Sequence, residues 1–234
     1  MNFPKGLLEY KKYNGGAPWI LEQIRRCFSY KCSEIIIVLG YHSDEYLSLF
    51  KKLISEDEYW HLLPEIYSPL KKHLSKIHLA INQSPHLGQF SSLQTGLQKL
   101  NNLSNIRSSI YPLTMITPID VPLPSIETIN ALIECKNENE HEYEHEKKID
   151  AIIPTFNGKG GHPILIGNDL INYILKFDLS DPHNNNIRLD KILQNSESNN
   201  FTIKKIATND PTVTLNLNTF EKWNDFITEE TKKS

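Results

Sequence analysis

Four stretches of this sequence carry side chains that could do chemistry, and each lies beside the end of an apolar, strand-like run. Asp120 follows YPLTMITP (111–118) and precedes VPLP. A carboxylate there can hold Mg²⁺, and Mg²⁺ can bridge nucleotide phosphates; an Asp in such a place also commonly caps a turn. NQSPHLGQFSSLQTGL (82–97) leaves a strand, passes Gly88 and enters a helix at Ser91 and Ser92. Backbone N–H groups at a helix start can meet an anion or the edge of a base, and Gly88 permits close approach; an ordinary loop and N-cap explain the stretch equally well. GKGGHPILIG (158–167) sets three glycines before His162 and a strand, a pattern that a hairpin turn with a partly buried histidine also satisfies. TLNLNTFEKW (214–223) places Asn216 and Asn218 two apart, on one face of a strand. An amide oxygen is a neutral ligand for Mg²⁺, and turn formation is the plainer role for both residues.

These residues matter only if a scaffold brings them together, and the pattern of elements supplies one. SEIIIVLG (33–40) is short, β-branched and nearly all apolar, as suits a strand buried on both faces of a parallel sheet. KIHLAINQ (76–83) and YPLTMITP (111–118) are two more strands. Helices are predicted over 18–30, 42–54 (with Ser43 as N-cap), 91–100 and 125–135, so the first half alternates as a doubly wound α/β sheet. The second half predicts strands at 149–156, 162–167, 201–206 and 211–217, with helices at 168–175, 188–194 and from Thr219 onward. In such sheets ligands bind beyond the carboxyl ends of the strands, where the four stretches lie. Residues 56–74 read as a helical insertion. KNENEHEYEHEKK (136–148) reads as a mobile polar loop whose His141 and His145 lack a frame to hold a metal. The whole, 1–234, is expected to be a single domain.

Composition narrows the class of partner. A net charge of −3 and a pI near 6.3 disfavour a nucleic-acid partner but leave a mononucleotide open. Cys27, Cys32 and Cys135 have neither metal-site nor CxxC spacing, which fits idle thiols in a reducing compartment. No apolar run has the length of a membrane span and the N-terminus has no signal-peptide core, so a cytoplasmic protein with no membrane partner is expected. Nothing points to a particular protein partner.

Taken in order, FPKGLLEY, EIIIVLGYH, Asn82 with GQFSSLQTGL, ITPIDVPLP, IIPTFNGKGGHPILI and DPTVTLNLNTFE resemble the molybdenum cofactor cytidylyltransferase and guanylyltransferase group, MobA-like NTP transferases. The resemblance spans nearly the whole chain. It implies a three-layer α/β fold with a mostly parallel central sheet, of the glycosyltransferase-A-like nucleotidyltransferase type. It implies transfer of a nucleotidyl group from CTP or GTP to a phosphorylated acceptor such as molybdopterin, with release of pyrophosphate. By position, Lys5 becomes the phosphate-neutralising lysine and Asp120 the Mg²⁺ ligand. Asn218, with Asn216 nearby, becomes the second metal contact. Asn82, Gly88, Ser91 and Ser92 face the nucleotide, and Gly161 and His162 line the acceptor pocket. Relatives place a buried strand and a glycine-rich loop with an arginine before Pro-Lys, whereas here Met1 stands three residues before Pro4. Either the start lies upstream or that part has been lost. The alternative expectation is therefore an impaired or non-catalytic binding descendant of the family. A glycosyltransferase is disfavoured, because Val121 and Pro122 follow Asp120 where an Asp-x-Asp pair would stand.

Overall fold

The computed structural model describes residues 3–13, 15–107, 113–141, 148–181, 184 and 187–232. The chain opens with a short 3-10 turn at Lys5–Leu7 and a two-residue hairpin, β1 (Glu9–Tyr10) against β2 (Ala17–Pro18). Pro18 then starts α1 (Trp19–Ser29), whose Ile20, Leu21 and Ile24 form a buried stripe. β3 (Ile35–Leu39) leads to α2 (Ser43–Ser55), α3 (Asp57–Leu62), a 3-10 run at Glu65–Lys76 and β4 (Ile77–Ile81). α4 (Gln89–Arg107), β5 (Thr114–Ile116) and α5 (Ile126–His141) follow. The remainder is β6 (Ala151–Phe156), β7 (Lys159–Gly160), β8 (Ile164–Ile166), α6 (Asn168–Ile174), α7 (Leu189–Gln194), β9 (Ile203–Ala207) and α8 (Phe220–Lys232).

The side chains show three layers through their period-two alternation. Ile35, Ile37 and Leu39 of β3 pack with Ile20 and Ile24 of α1, whereas Val38 meets Gly96 of α4. In β6 and β8, Ile152 and Leu165 face Ile129 and Leu132 of α5; Ile153 and Ile164 face Phe90 and Leu97 of α4. The α/β layering expected from the sequence is therefore present, with helices on both faces.

The sheet itself is mixed and divided. β3 and β4 form one parallel ladder of five residue pairs, and β6 and β9 form another of equal length. β8 runs antiparallel between β5 and β6, and β7 closes a hairpin on β6. The expectation that 33–40, 76–83 and 111–118 share one sheet is corrected: β5 pairs with β8 and not with β3 or β4. No described strand bridges β3 to β5. α4 spans the division instead, touching Val38 through Gly96 and Ile116 through its leucine face.

Three local corrections have clear causes. PTVTLNL is not a strand: Asp210 accepts the Thr212 N–H and Pro211 occupies the first position, so a 3-10 turn forms at Pro211–Thr214. α2 is preceded by His42 in the left-handed region, and Ser43 lies inside the helix rather than capping it. α5 continues to His141, so 136–141 is helical; residues 142–147, including His145, and the His141 side chain lie outside the described residues. The 56–74 segment is helical, as α3 and the 3-10 run. No described helix is long and apolar enough to cross a membrane.

Candidate functional site

The segment Pro118–Pro124 carries Asp120, and its prolines shape it. Pro118, Pro122 and Pro124 have no N–H to donate and resist helix formation; the Val121 N–H closes a turn on the Pro118 carbonyl at 3.2 Å, with Ile119 and Asp120 at its corner, and the carbonyls from Ile119 onward take donors from elsewhere. α1 provides them. Trp19 Nε1 donates to the Ile119 carbonyl at 2.8 Å, Gln23 Nε2 to Val121 at 2.9 Å and Arg26 Nη1 to Leu123 at 2.9 Å. Just past the helix, the Tyr30 hydroxyl donates to the Pro124 carbonyl. Gln23 also accepts the Leu123 N–H at 3.2 Å. The carbonyl of Asp120, between those of Ile119 and Val121, accepts the Leu217 N–H at 2.7 Å.

Lys5 arrives from the N-terminal 3-10 turn, which Leu7 N to Pro4 O closes at 2.9 Å. Gly6 donates to the Tyr46 hydroxyl of α2 at 2.9 Å. A Cβ there would lie 2.8 Å from that hydroxyl and 3.1 Å from the Ile119 side chain, so glycine lets the turn press on the Asp120 segment without displacing either side chain. The Lys5 ammonium then donates to Asp120 Oδ2 at 2.8 Å and also to Asn218 Oδ1. Three of the expected residues, 115 and 213 positions apart in sequence, thus meet at one atom. Lys5 lies between the two oxygens.

The other expected residues take different parts. Among the described residues, Asn216 does not bond Lys5, and its Oδ1 is buried with no partner. The strand face that Asn216 and Asn218 were expected to share is absent, because the segment is not a strand. His162 Nδ1 is likewise buried without a partner. Burial holds the His162 ring below its usual imidazole range, against the opposing pull of a bond to the Ile116 carbonyl and of the Asp120 charge. The ring is therefore neutral near pH 7. Gly161 is explained by packing: a Cβ would lie 2.1 Å from the Val213 carbonyl oxygen, which accepts the His162 N–H at 2.7 Å.

Asn82 is buried and fully engaged. It donates to the Ser91 and Ser92 hydroxyls at 2.8 and 3.0 Å and accepts the Ser84 N–H at 2.9 Å. Ser91 in turn donates to the Gly88 carbonyl at 2.7 Å. Asn82 and Ser91 thus build the loop rather than present free groups. Gly88, at φ 85° with open space around its Cβ position, is the part of the loop with room for a ligand. The helix begins at Gln89, earlier than the serines predicted.

Asp120 and Asn218 offer one carboxylate and one amide oxygen, a hard donor set. Among the described residues no group of three or more His, Cys, Asp or Glu is arranged to hold a metal. A Mg²⁺-type ion does not need such a cage, since it keeps waters and takes one or two carboxylates plus substrate phosphates. The orphaned His162 Nδ1 and Asn216 Oδ1 also fit a place meant to receive a polar ligand. The donors α1 provides were missed by the sequence reading. Their signal was present: Trp19, Gln23, Arg26 and Tyr30 repeat at steps of four, three and four, one face of a helix.

A layered α/β domain with Asp120 just beyond a strand end has the architecture of a nucleotidyltransferase, and solved structures agree. The fold is similar to a homolog of Mycobacterium tuberculosis rv0371c from Mycobacterium sp. strain JC1, at TM-score 0.58 and 14% identity, covering 100% of this chain and 91% of that one. It is similar to a nucleotidyl transferase from Methanothermobacter, at TM-score 0.62 and 15% identity, covering 98% and 86%. It is also similar to Rv0371c of M. tuberculosis in complex with manganese, at TM-score 0.58 and 11% identity, covering 96% and 91%. No curated protein matches the chain in sequence. Residues 1–197 match the MobA-like NTP transferase domain, and the chain belongs to that family.

Proposed function

We propose that the protein transfers a nucleotidyl group from CTP or GTP to a phosphorylated acceptor such as molybdopterin. An acceptor phosphate oxygen bonds to the α-phosphorus, the bond from that phosphorus to the bridging oxygen breaks, and pyrophosphate leaves. The observation that carries this reading is the meeting of Lys5, Asp120 and Asn218 beyond the sheet. Asp120 and Asn218 would hold a divalent cation, for which Mg²⁺ is the proposed ion. Such a cation, when bound, neutralises phosphate charge and orients the triphosphate. Lys5 would add a second positive charge for the phosphates, and the open space at Gly88 would leave room for the nucleotide. His162, with a ring nitrogen unpartnered among the described residues and burial favouring its neutral form, would line the acceptor pocket and could accept a hydrogen bond without adding charge. No covalent nucleophile is needed, and catalysis is mainly positioning and charge neutralisation. The free thiols Cys27, Cys32 and Cys135 support a cytoplasmic setting.

Pyrophosphate release is the test, measured with each of the four NTPs, Mg²⁺ and a molybdopterin acceptor. CTP or GTP should give turnover that Asp120→Ala abolishes. Turnover unaffected by Asp120→Ala, or no thermal stabilisation by any NTP with Mg²⁺, would overturn the reading.

A further inference from the structure

In the cation-free protein the two oxygens best suited to a divalent ion are already satisfied by an internal cation. The Lys5 ammonium bonds Asp120 Oδ2 at 2.8 Å and also Asn218 Oδ1. An ammonium is a compact point charge with three donors, and it takes the place between two acceptor oxygens that a metal ion would take. A metal ion seated between the same two oxygens would occupy the point the ammonium now holds, and two positive charges at that distance repel. One must leave.

Lys5 is built to be the one that leaves. Its backbone is fixed by the 3-10 turn, by Gly6 N–H on the Tyr46 hydroxyl and by the tight contact of Gly6 with Ile119. Its side chain is a flexible four-carbon stem, 25% exposed, whereas the Asp120 side chain is 14% exposed. Asp120 cannot follow the ammonium outward, since its backbone carbonyl is bonded to Leu217 and the carbonyls on either side are bonded to α1. The displaced ammonium is left without an anion until a phosphate arrives within reach of its stem.

We propose that Lys5 is an internal counter-cation for the Asp120–Asn218 pair, displaced when a divalent metal binds, so that metal entry and release of Lys5 toward the phosphates are one event. The inference rests on the reading of Asp120 and Asn218 as cation ligands. It assigns Lys5 two successive partners, the carboxylate in the empty protein and the triphosphate in the loaded one. It also makes Lys5 an opponent of metal binding in the absence of nucleotide, the reverse of what a lysine serving only phosphate would do.

Mn²⁺ alone is the probe, with free Mn²⁺ followed by its paramagnetic resonance signal during titration of the wild type, Lys5→Met and Asp120→Ala. Lys5→Met should bind Mn²⁺ roughly tenfold more tightly than the wild type, the fold-change that about 1.4 kcal/mol represents. Asp120→Ala should not bind. On the wild type, acylation of each lysine by a soluble amine-reactive ester is followed by peptide mass spectrometry. Lys5 should react several-fold faster once Mn²⁺ is bound, while exposed Lys51 serves as the unchanged reference. This second measurement decides the matter if Lys5→Met does not fold. Equal Mn²⁺ affinity in wild type and Lys5→Met, or Lys5 acylation indifferent to bound Mn²⁺, overturns the displacement and leaves the metal ligands standing. Binding undiminished in Asp120→Ala, or absent from every form, overturns the ligand assignment and this inference with it.

Discussion

Replacing Gln23 by Met tests whether the Asp120 segment hangs from α1. Gln23 is 5% exposed, and its amide serves the Val121 carbonyl at 2.9 Å and the Leu123 N–H at 3.2 Å. Met has similar length and fills the space, so cavity formation is small and the lost hydrogen bonds dominate. Both backbone groups belong to buried residues, Val121 and Leu123, which limits rescue by water. An unsatisfied buried group costs about 1–3 kcal/mol, so two cost roughly 2–6 kcal/mol, and some relaxation should bring the loss near 3 kcal/mol. For a chain of this size that corresponds to a fall in Tm of about 6–12 °C. Urea unfolding and calorimetry measure the stability, and Mn²⁺ affinity measures the second consequence, because Asp120 is the neighbour of Val121. The variant should lose stability and bind Mn²⁺ more weakly. A loss below about 0.5 kcal/mol, the range of an ordinary surface substitution, together with unchanged Mn²⁺ affinity, would refute the claim that α1 positions the carboxylate.

Other perturbations probe the remaining supports. Asn218→Ala should weaken Mn²⁺ binding less than Asp120→Ala does, since it removes a neutral ligand and leaves the charge; titration of the two variants side by side gives the order. Gly161→Ala puts a methyl 2.1 Å from the Val213 carbonyl oxygen and should cost at least about 3 kcal/mol, seen as a lowered urea midpoint or loss of soluble protein. Glu22→Gln should destabilise by about 3 kcal/mol, because the fully buried carboxylate holds both Arg25 and Arg26; thermal unfolding against wild type checks it. Burial would push the Asp210 carboxyl up, but the N–H groups of Ser125 and Thr212 and the Thr212 and Thr128 hydroxyls outweigh it and hold it below its usual value. Its folded pKa is thus below its unfolded one, so its stabilisation is present above the unfolded pKa and is lost as pH falls through the folded one. The stability gap between wild type and Asp210→Asn should accordingly shrink as pH is lowered from about 5 to about 2.

What the sequence disclosed depended on whether the information was local. β3 was legible because five consecutive apolar, mostly β-branched residues have few other uses. α1 was legible as a helix from its apolar stripe, yet its polar face went unread. The acceptors it serves are backbone carbonyls, which every residue carries and no sequence pattern marks. PTVTLNL misled because Thr and Val favour strands, while the deciding interaction was the Asp210 cap one residue earlier. The division of the sheet was invisible for a related reason: strand order is set by which edges meet, and β5 looks the same in sequence whether it pairs with β3 or with β8. Lys5, Asp120 and Asn218 were reached through family resemblance, since no local pattern links residues so far apart. Asn82 and Ser91 were expected to face a ligand, and the structure turns their polar atoms inward to hold the Gly88 loop.

The arrangement around Asp120 sets a fixed backbone beside a flexible side chain. The carbonyls at 119, 121 and 123 are bonded to α1, and the carbonyl at 120 is bonded to Leu217, so the backbone of the acid is held from both sides. That rigidity is the condition for a preorganised ligand, which loses little conformational freedom when a charged partner arrives. The basic partner is the opposite case, a long stem on a pinned turn. The second oxygen, from Asn218, lies beyond residues 1–197, the part that matches the family domain. It is nevertheless held to the core, because Leu217 is buried among Tyr10, Trp19, Trp223 and Phe226 and donates to Asp120 itself. The C-terminal segment is therefore structural for the site: without it Asp120 would lose one of the bonds that fix its backbone, and Lys5 would lose its second acceptor, the Asn218 amide oxygen.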